Sequence, residues 1–329
     1  MPKKDDSSAL RRLGMSELFI SPVGLGCLQF SRGRGVSGLL WPTLGAQGIN
    51  GIVKASLDGG VNWFDTAELY GWGESERALA RSLGELNVPR DEVIIATKWW
   101  PLLRTAGSIK RTVGERLSSL SVDLIDLHQI HNPFSLSSIG SQMKEMAGLV
   151  ETGKVRYVGV SNYSAERMRK AHLELSRLGL ALVSNQMKYS LFNRKIETNG
   201  VLDAAKDLGV TVIAYSPLAR GLLTGKFHER PELLRERKFF RRLYGSLTGD
   251  NIKNSAHLIE ALGELGGKYN ATPSQIALNW LINFHGDTVV VIPGATRVEH
   301  AADNAASMSF KLSQDDLAYL DDVSSRLTL

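Results

Sequence analysis

Short runs of β-branched and other apolar residues recur along the chain, and after each run the apolar positions shift to helical spacing. The runs are Val23–Cys27, Val61–Asp65, Val93–Lys98, Leu124–Ile130, Val155–Val160, Leu182–Met187, Val210–Tyr215 and Thr288–Ile292. Between the fourth and the fifth, Ile139, Met143, Met146, Ala147 and Val150 share one face of a helix. Strand and amphipathic helix in alternation is the signature of parallel β-α-β units, with helices covering the sheet from outside. Gly60, Gly153 and Gly209 each stand just before a run, where a left-handed turn can end the preceding helix.

Eight such repeats in a chain of 329 residues fit a closed (β/α)8 barrel, the TIM barrel, better than an open doubly wound sheet of fewer strands. Ahead of them, Arg11–Leu13 and Leu18–Ile20 flank Gly14-Met15-Ser16-Glu17, a pattern that predicts a β-hairpin able to plug the barrel bottom. No linker or low-complexity tract interrupts the series, so residues 11–329 read as one domain behind a flexible N-terminus, 1–10. Barrel chemistry sits at strand C-termini. Polar residues do collect there: Asp65, Lys98, His131, Ser161, Asn162, Asn185, Gln186, Tyr215 and Ser216.

Composition narrows the function classes. Cys27 is the only cysteine, so no internal disulfide can form. Met1 to Ser8 is polar and no apolar run is long enough to span a bilayer, which predicts a soluble, cytoplasmic protein without a membrane anchor. The net charge of +5 is spread through acidic and basic residues alike and does not point to nucleic acid. The densest basic stretch, Arg230–Arg242, reads as a solvated loop or helix face. Gly33-Arg34-Gly35-Val36-Ser37-Gly38 matches a dinucleotide fingerprint, but Pro42 follows and no helical periodicity surrounds it, so it reads as the first strand-to-helix loop. Gly221-Leu222-Leu223-Thr224-Gly225-Lys226 has one residue too few between its glycines for a P-loop, and Phe227 replaces the hydroxyl residue.

Asp65, Lys98 and His131 end the second, third and fourth runs, and Tyr70 follows in the loop after Asp65. Neighbouring strand ends of a barrel converge on one mouth. With the words Phe64-Asp65-Thr66-Ala67, Ala96-Thr97-Lys98, Asp126-Leu127-His128-Gln129-Ile130-His131, Gly159-Val160-Ser161-Asn162-Tyr163, Ala214-Tyr215-Ser216-Pro217-Leu218 and Ile292-Pro293-Gly294-Ala295, the chain resembles the aldo-keto reductases over nearly its whole length. The resemblance implies an NADP(H)-dependent oxidoreductase acting on a small carbonyl compound. It makes Tyr70 the general acid, Lys98 the ammonium that strengthens it, Asp65 the anchor of Lys98, and His131 a donor to the carbonyl oxygen. Strand alternation separates His131 from His128, and the family pattern selects His131.

The resemblance also implies that Ser161, Asn162 and Gln186 hold the nicotinamide carboxamide, that Tyr215 stacks on its ring, and that Ser216, Leu218, Gly221 and Lys226 form the pyrophosphate loop. Gly294, Arg297, His300 and Asn304 complete the cofactor set. Many relatives carry a lysine at Gly294 and an arginine at His300, so Arg297 is expected as the main contact to the 2′-phosphate, with Asn304 meeting the adenine. Arg230–Arg242 is then expected to fold over the cofactor. Trp72, Trp99, Trp100 and Phe134 suggest an aromatic-lined substrate pocket. Two rival readings stand beside this one: a Schiff-base enzyme using Lys98 as nucleophile, and a cofactor-binding regulatory subunit without turnover. Oligomeric state is not legible in the chain.

Overall fold

The computed structural model describes residues 10–35, 42–234 and 247–327. Its centre is a sheet of eight parallel strands in sequence order: β3 (Leu25–Gly26), β4 (Trp63–Asp65), β5 (Ile94–Trp99), β6 (Ile125–Ile130), β7 (Val155–Ser161), β8 (Leu182–Lys188), β9 (Thr211–Tyr215) and β10 (Val289–Val291). Parallel bridges Val23 to Val291 and Gly26 to Gly294 close the sheet into a barrel. The seam is hydrogen-bonded, Gly24 N donating to Val291 O at 2.8 Å and Gly26 N to Pro293 O at 3.1 Å. Every expected run therefore holds a strand. The first is shorter than its run because Val23 and Gly26 meet the last strand at isolated positions, and Thr288 belongs to a one-turn helix.

Among the described residues the helices of eight or more residues are α1 (Ala46–Asp58), α2 (Glu74–Glu85), α3 (Gly107–Leu120), α4 (Ile139–Glu151), α5 (Ala165–Ser176), α6 (Val201–Leu208), α7 (Ala256–Tyr269), α8 (Pro273–Asn283), α9 (Val298–Ala306) and α10 (Gln314–Ser325). Helix α4 buries Ile139, Met143 and Met146 of the expected face together with Leu149, while Ala147 and Val150 are half-buried, and Ser138 caps it by accepting from Ser141 N. Helix α8 starts on a capping box of Thr272 and Gln275 with proline in its first turn. Helix α6 ends where Gly209 takes a left-handed φ of 62°.

The hairpin β1 (Arg11–Arg12) and β2 (Phe19–Ile20) pairs antiparallel. Leu13, Leu18 and Ile20 from it join Trp63, Ala96, Leu127, Val183, Ile213 and Val290 in a cluster inside the barrel, separate from the larger cluster between sheet and helices. The hairpin closes the barrel bottom, as its position before the first strand predicts, and leaves the opposite end open for chemistry. Gly14 N donates to Thr211 Oγ1 at 2.7 Å and fixes the plug to β9. The expected flexible terminus 1–10 lies, apart from Leu10, outside the described residues. Among the described residues no helix is long and apolar enough to cross a membrane.

Candidate active site

Strand parity aims the site residues. Within β5, Ala96 belongs to the barrel interior and Lys98 points the same way, so Thr97 and Trp99 face the helices. Lys98 is level with Gln129 in the register of β5 and β6, and Thr97 is level with His128. Gln129 and His131 thus share the inward face, while His128 is buried beside Arg116 of α3. Trp99 likewise faces outward: its Nε1 donates to Ser108 Oγ at 3.0 Å and Arg104 lies over its ring. That removes it from the expected aromatic pocket.

Asp65 is the hub of the buried layer. Lys98 Nζ donates to its Oδ1 and also to Thr66 O at 2.8 Å. Its Oδ2 accepts from Gln129 Nε2 at 3.1 Å and Gln186 Nε2 at 2.9 Å. Four strands are thereby tied across the barrel by one carboxylate. Gln129 escaped the sequence reading, although its parity with His131 was the available signal. Gly159 makes room for it, since a Cβ there would lie 2.3 Å from Ser184 Oγ and 3.0 Å from Gln129 Cγ.

Tyr70 stands on the β4–α2 loop, which is held by bonds from Thr66 N to Ala96 O at 2.8 Å and from Ser75 Oγ to Cys27 O at 2.7 Å. Gly71, with φ of 65°, lets this loop pass Ser31, whose carbonyl oxygen a Cβ would approach to 2.8 Å. Lys98 Nζ lies 5.1 Å from the centroid of the Tyr70 ring. Burial works against the charge on Lys98, yet Asp65 and Tyr70 together hold its pKa above the ordinary value. Tyr70 is also shifted upward, because burial and Asp65 outweigh the pull of Lys98. The phenol therefore keeps its proton near neutrality, where Lys98 alone would have drawn it down.

His131 packs edge-on against Tyr70 at 5.6 Å and Trp100 at 5.2 Å between centroids. Burial and then Lys98 push its pKa down to about 3, so the imidazole is neutral and carries one N–H donor. Behind this group, Glu68 accepts from Trp100 N and from Arg104 Nη1 at 2.6 Å, and pairs with Arg116 at 2.7 Å. The loop carrying Tyr70 and the segment carrying Trp100 are joined through it.

A cavity of about 480 Å³ opens over these residues. Asp65, Tyr70 and His131 line it at one end, and Lys98 lies fully buried beneath them. Ser161, Asn162, Gln186, Tyr215, Ser216, Leu218, Gly221, Lys226, Gly294, His300 and Asn304 line it as well. Tyr215 OH donates to Asn162 Oδ1 at 2.9 Å, and Asn162 Nδ2 donates to His131 O at 3.2 Å, so these elements are linked beside the mouth. Left-handed φ values at Ser216, Ala219, Arg220 and Gly221 bend the loop after β9. Ala219 N and Gly221 N close that bend on Ser216 O at 2.9 Å and on Leu218 O at 2.8 Å.

Arg297 is not among the lining residues. It is exposed, and its Nη2 lies 2.9 Å from His300 Nε2. Burial, then Arg297 and Lys226, lower the pKa of His300. Three buried polar atoms on the cavity residues have no partner among the described residues: Gln29 Oε1, His131 Nδ1 and Asn304 Nδ2. An unmet buried group costs about 1–3 kcal/mol, which a ligand carrying complementary groups would recover. Val36–Gly38 of the glycine-rich stretch and Arg235–Arg242 of the basic stretch lie outside the described residues.

The family model described as Aldo/keto reductase family matches residues 23–325, from the first strand to the last helix. The chain belongs to the aldo/keto reductase family. An aldo-keto reductase of Strobilurus tenacellus is 32% identical over 324 residues, covering 94% of this chain and 89% of that protein. An uncharacterised oxidoreductase of Mycobacterium tuberculosis is 37% identical over 303 residues, covering 89% of this chain and 86% of the relative. Among solved structures, the glycerol dehydrogenase of Gluconobacter oxydans superposes with a TM-score of 0.81 at 26% identity, covering 98% of this chain and 97% of its own. A thermostable aldo-keto reductase solved with the inhibitor epalrestat gives 0.76 at 27% identity, covering 95% and 99%. Both share the (β/α)8 barrel. As an aldo/keto reductase, the protein is an oxidoreductase of the carbonyl-reducing, nicotinamide-using class.

Proposed function

We propose that the protein is an NADP(H)-dependent reductase of aldehydes or ketones, with Tyr70 as general acid. The observation that carries this reading is one cavity with Tyr70 and His131 over a buried Lys98–Asp65 pair at one end and the unpartnered Asn304 Nδ2 with His300 and Lys226 at the other. The residues fit a dinucleotide. Asn162, Ser161 and Gln186 offer amide and hydroxyl groups to the carboxamide, Tyr215 a flat ring, the bent loop after β9 its N–H groups to a diphosphate, and Lys226 with the Arg297–His300 pair cationic character to a 2′-phosphate.

When bound, the cofactor supplies hydride to the carbonyl carbon. The chain's residues manage the oxygen. His131, through its one N–H, holds it in place, and Tyr70 gives up its phenolic proton to it, completing the alcohol. The phenolate left on Tyr70 is stabilised by Lys98, which Asp65 keeps charged in its buried position. Solvent then restores the proton. The Schiff-base alternative is disfavoured by the burial of Lys98 beneath the cavity, which puts the amine out of reach, and by its bond to Asp65, which keeps it protonated against that burial.

The test is NADPH oxidation with a panel of aldehydes, ketones and sugars, alongside Tyr70→Phe. The variant should bind NADPH as the wild type does while turnover falls by roughly 10²–10⁴, the share of a general acid. Turnover close to wild type sinks the assignment of Tyr70. Tight NADPH binding with no turnover on any carbonyl would support a regulatory role.

A further inference from the structure

Gln29 lies on the short helical turn Leu28–Ser31 that follows β3, and its side chain lines the cavity while only 6% exposed. Its Oε1 is buried without a hydrogen-bond partner among the described residues. A buried amide oxygen is an acceptor that native structures almost always satisfy, so its place marks where a donor belongs. Across the seam of the barrel stands Gly294, bridged to Gly26. Its φ is not among the positive values, so the backbone there does not ask for glycine. The neighbouring side chain does: a Cβ at 294 would lie 2.4 Å from both Nε2 and Oε1 of Gln29. The amide of Gln29 fills the space that a side chain at 294 would take.

In strand order around the barrel, the seam of β3 and β10 lies between β4, which carries Asp65, and β9, which carries Tyr215. Tyr215 ends β9, the neighbour of β10, with Ser216 next in the chain, and Thr296, His300 and Asn304 follow Gly294; all of them line the cavity. A dinucleotide laid along the cavity brings its central portion past Gln29. Phosphate oxygens there can only accept, whereas ribose hydroxyls can donate. The amino group of adenine and the carboxamide, the other donors, belong at the two ends. We propose that Gln29 is a cofactor-binding residue that accepts a hydrogen bond from a hydroxyl of the ribose next to the nicotinamide, and that position 294 is glycine to leave room for its amide. The proposal rests on the nicotinamide-dinucleotide reading above.

Calorimetric titration of the full chain with NADPH, NADP+ and 2′,5′-ADP tests it, using Gln29→Met, Gln29→Ala, Gly294→Ala and the Gln29→Ala/Gly294→Ala double variant, each checked for folding by thermal melting. Gln29→Met should raise the Kd for NADPH and NADP+ about tenfold, the worth of one such bond. It should leave 2′,5′-ADP within about twofold, because that ligand lacks the second ribose. Gly294→Ala should weaken NADPH in the wild-type background by displacing the amide, and add nothing once Gln29 is alanine, since the two positions act through one contact. Wild-type NADPH affinity in Gln29→Met, an equal loss for 2′,5′-ADP, or additive losses in the double variant overturns the proposal. A wild-type chain that binds neither NADPH nor NADP+ overturns this proposal and the underlying reading together, whereas the other outcomes leave that reading standing.

Discussion

A carboxylate that accepts from one ammonium and two amides, as Asp65 does, leaves few lone pairs unspent, and removing its charge exposes what it was holding. Asp65→Asn keeps the shape but leaves Lys98 as a buried cation with only Thr66 O and Tyr70 as partners. Breaking a buried pair on one side costs about 3–5 kcal/mol, so urea denaturation should show a loss of that order. A loss under about 1 kcal/mol would mean that the layer relaxes around the change. Arg297 presents the opposite case, an exposed cation beside the cavity. If it and His300 jointly meet the 2′-phosphate, Arg297→Ala should weaken NADPH binding by about 1.5–3 kcal/mol and leave NADH nearly untouched. Equal effects on both cofactors would place the phosphate elsewhere. Strand ends and the family motifs pointed to Lys98 and His131 in the sequence, alternation set His131 apart from His128, and parity along β5 and β6 places His128 and Trp99 away from the mouth. Gln29 was not legible, because a one-turn helix has no period to read and its partner Gly294 is distant in the chain.

Strand and helix periodicity located every barrel strand, since each run is apolar over several residues and each following helix shows one apolar face. Boundaries were less legible at the seam, where pairing consists of isolated bridges that leave no pattern in either segment. The hairpin was marked by its glycine turn, and its packing gives that glycine a measurable role. Gly14 has φ of 53°, and a Cβ on it would lie 2.3 Å from Val183 O inside the barrel. Gly14→Ala should therefore cost about 1–3 kcal/mol through overpacking and backbone strain. Because the plug closes the bottom and the site opens at the top, turnover of the folded fraction should stay at the wild-type value. Chemical denaturation followed by an assay of the folded variant separates the two. A variant as stable as wild type would mean that the hairpin shifts without loss, and a folded but inactive one would couple the plug to the mouth.

Across the whole molecule, three deeply buried groups with large shifts act on how stability responds to acid between about pH 6.5 and 4.5, beside a smaller share from His300, and they do not pull the same way. Burial first, then Arg116, lowers the pKa of His128 from its ordinary 6.5 to about 4, and burial with Lys98 lowers that of His131 to about 3. Each histidine favours the folded state fully above 6.5, and that favour drains as pH falls toward the folded pKa, because only the unfolded chain takes up the proton. Glu76 behaves oppositely. Its carboxyl accepts from Thr97 at 2.6 Å and faces Arg116, but burial dominates and raises its pKa from 4.5 to about 7, with Glu68 adding to the rise. Its contribution is present in full below 4.5 and is lost as pH climbs through about 7. Between about pH 6.5 and 4.5 the unfolded chain thus binds two protons that the folded one does not, and the folded chain keeps one that the unfolded loses. From these three groups, stability should fall by about 1.4 kcal/mol for each unit of acidification. In Glu76→Gln the amide still accepts from Thr97 while the opposing proton is gone, so the slope should steepen by about 1.4 kcal/mol per pH unit. Urea denaturation of both proteins at several pH values across that window measures the two slopes. Equal slopes would show that Glu76 is ionised in the folded protein, held so by Arg116 against its burial.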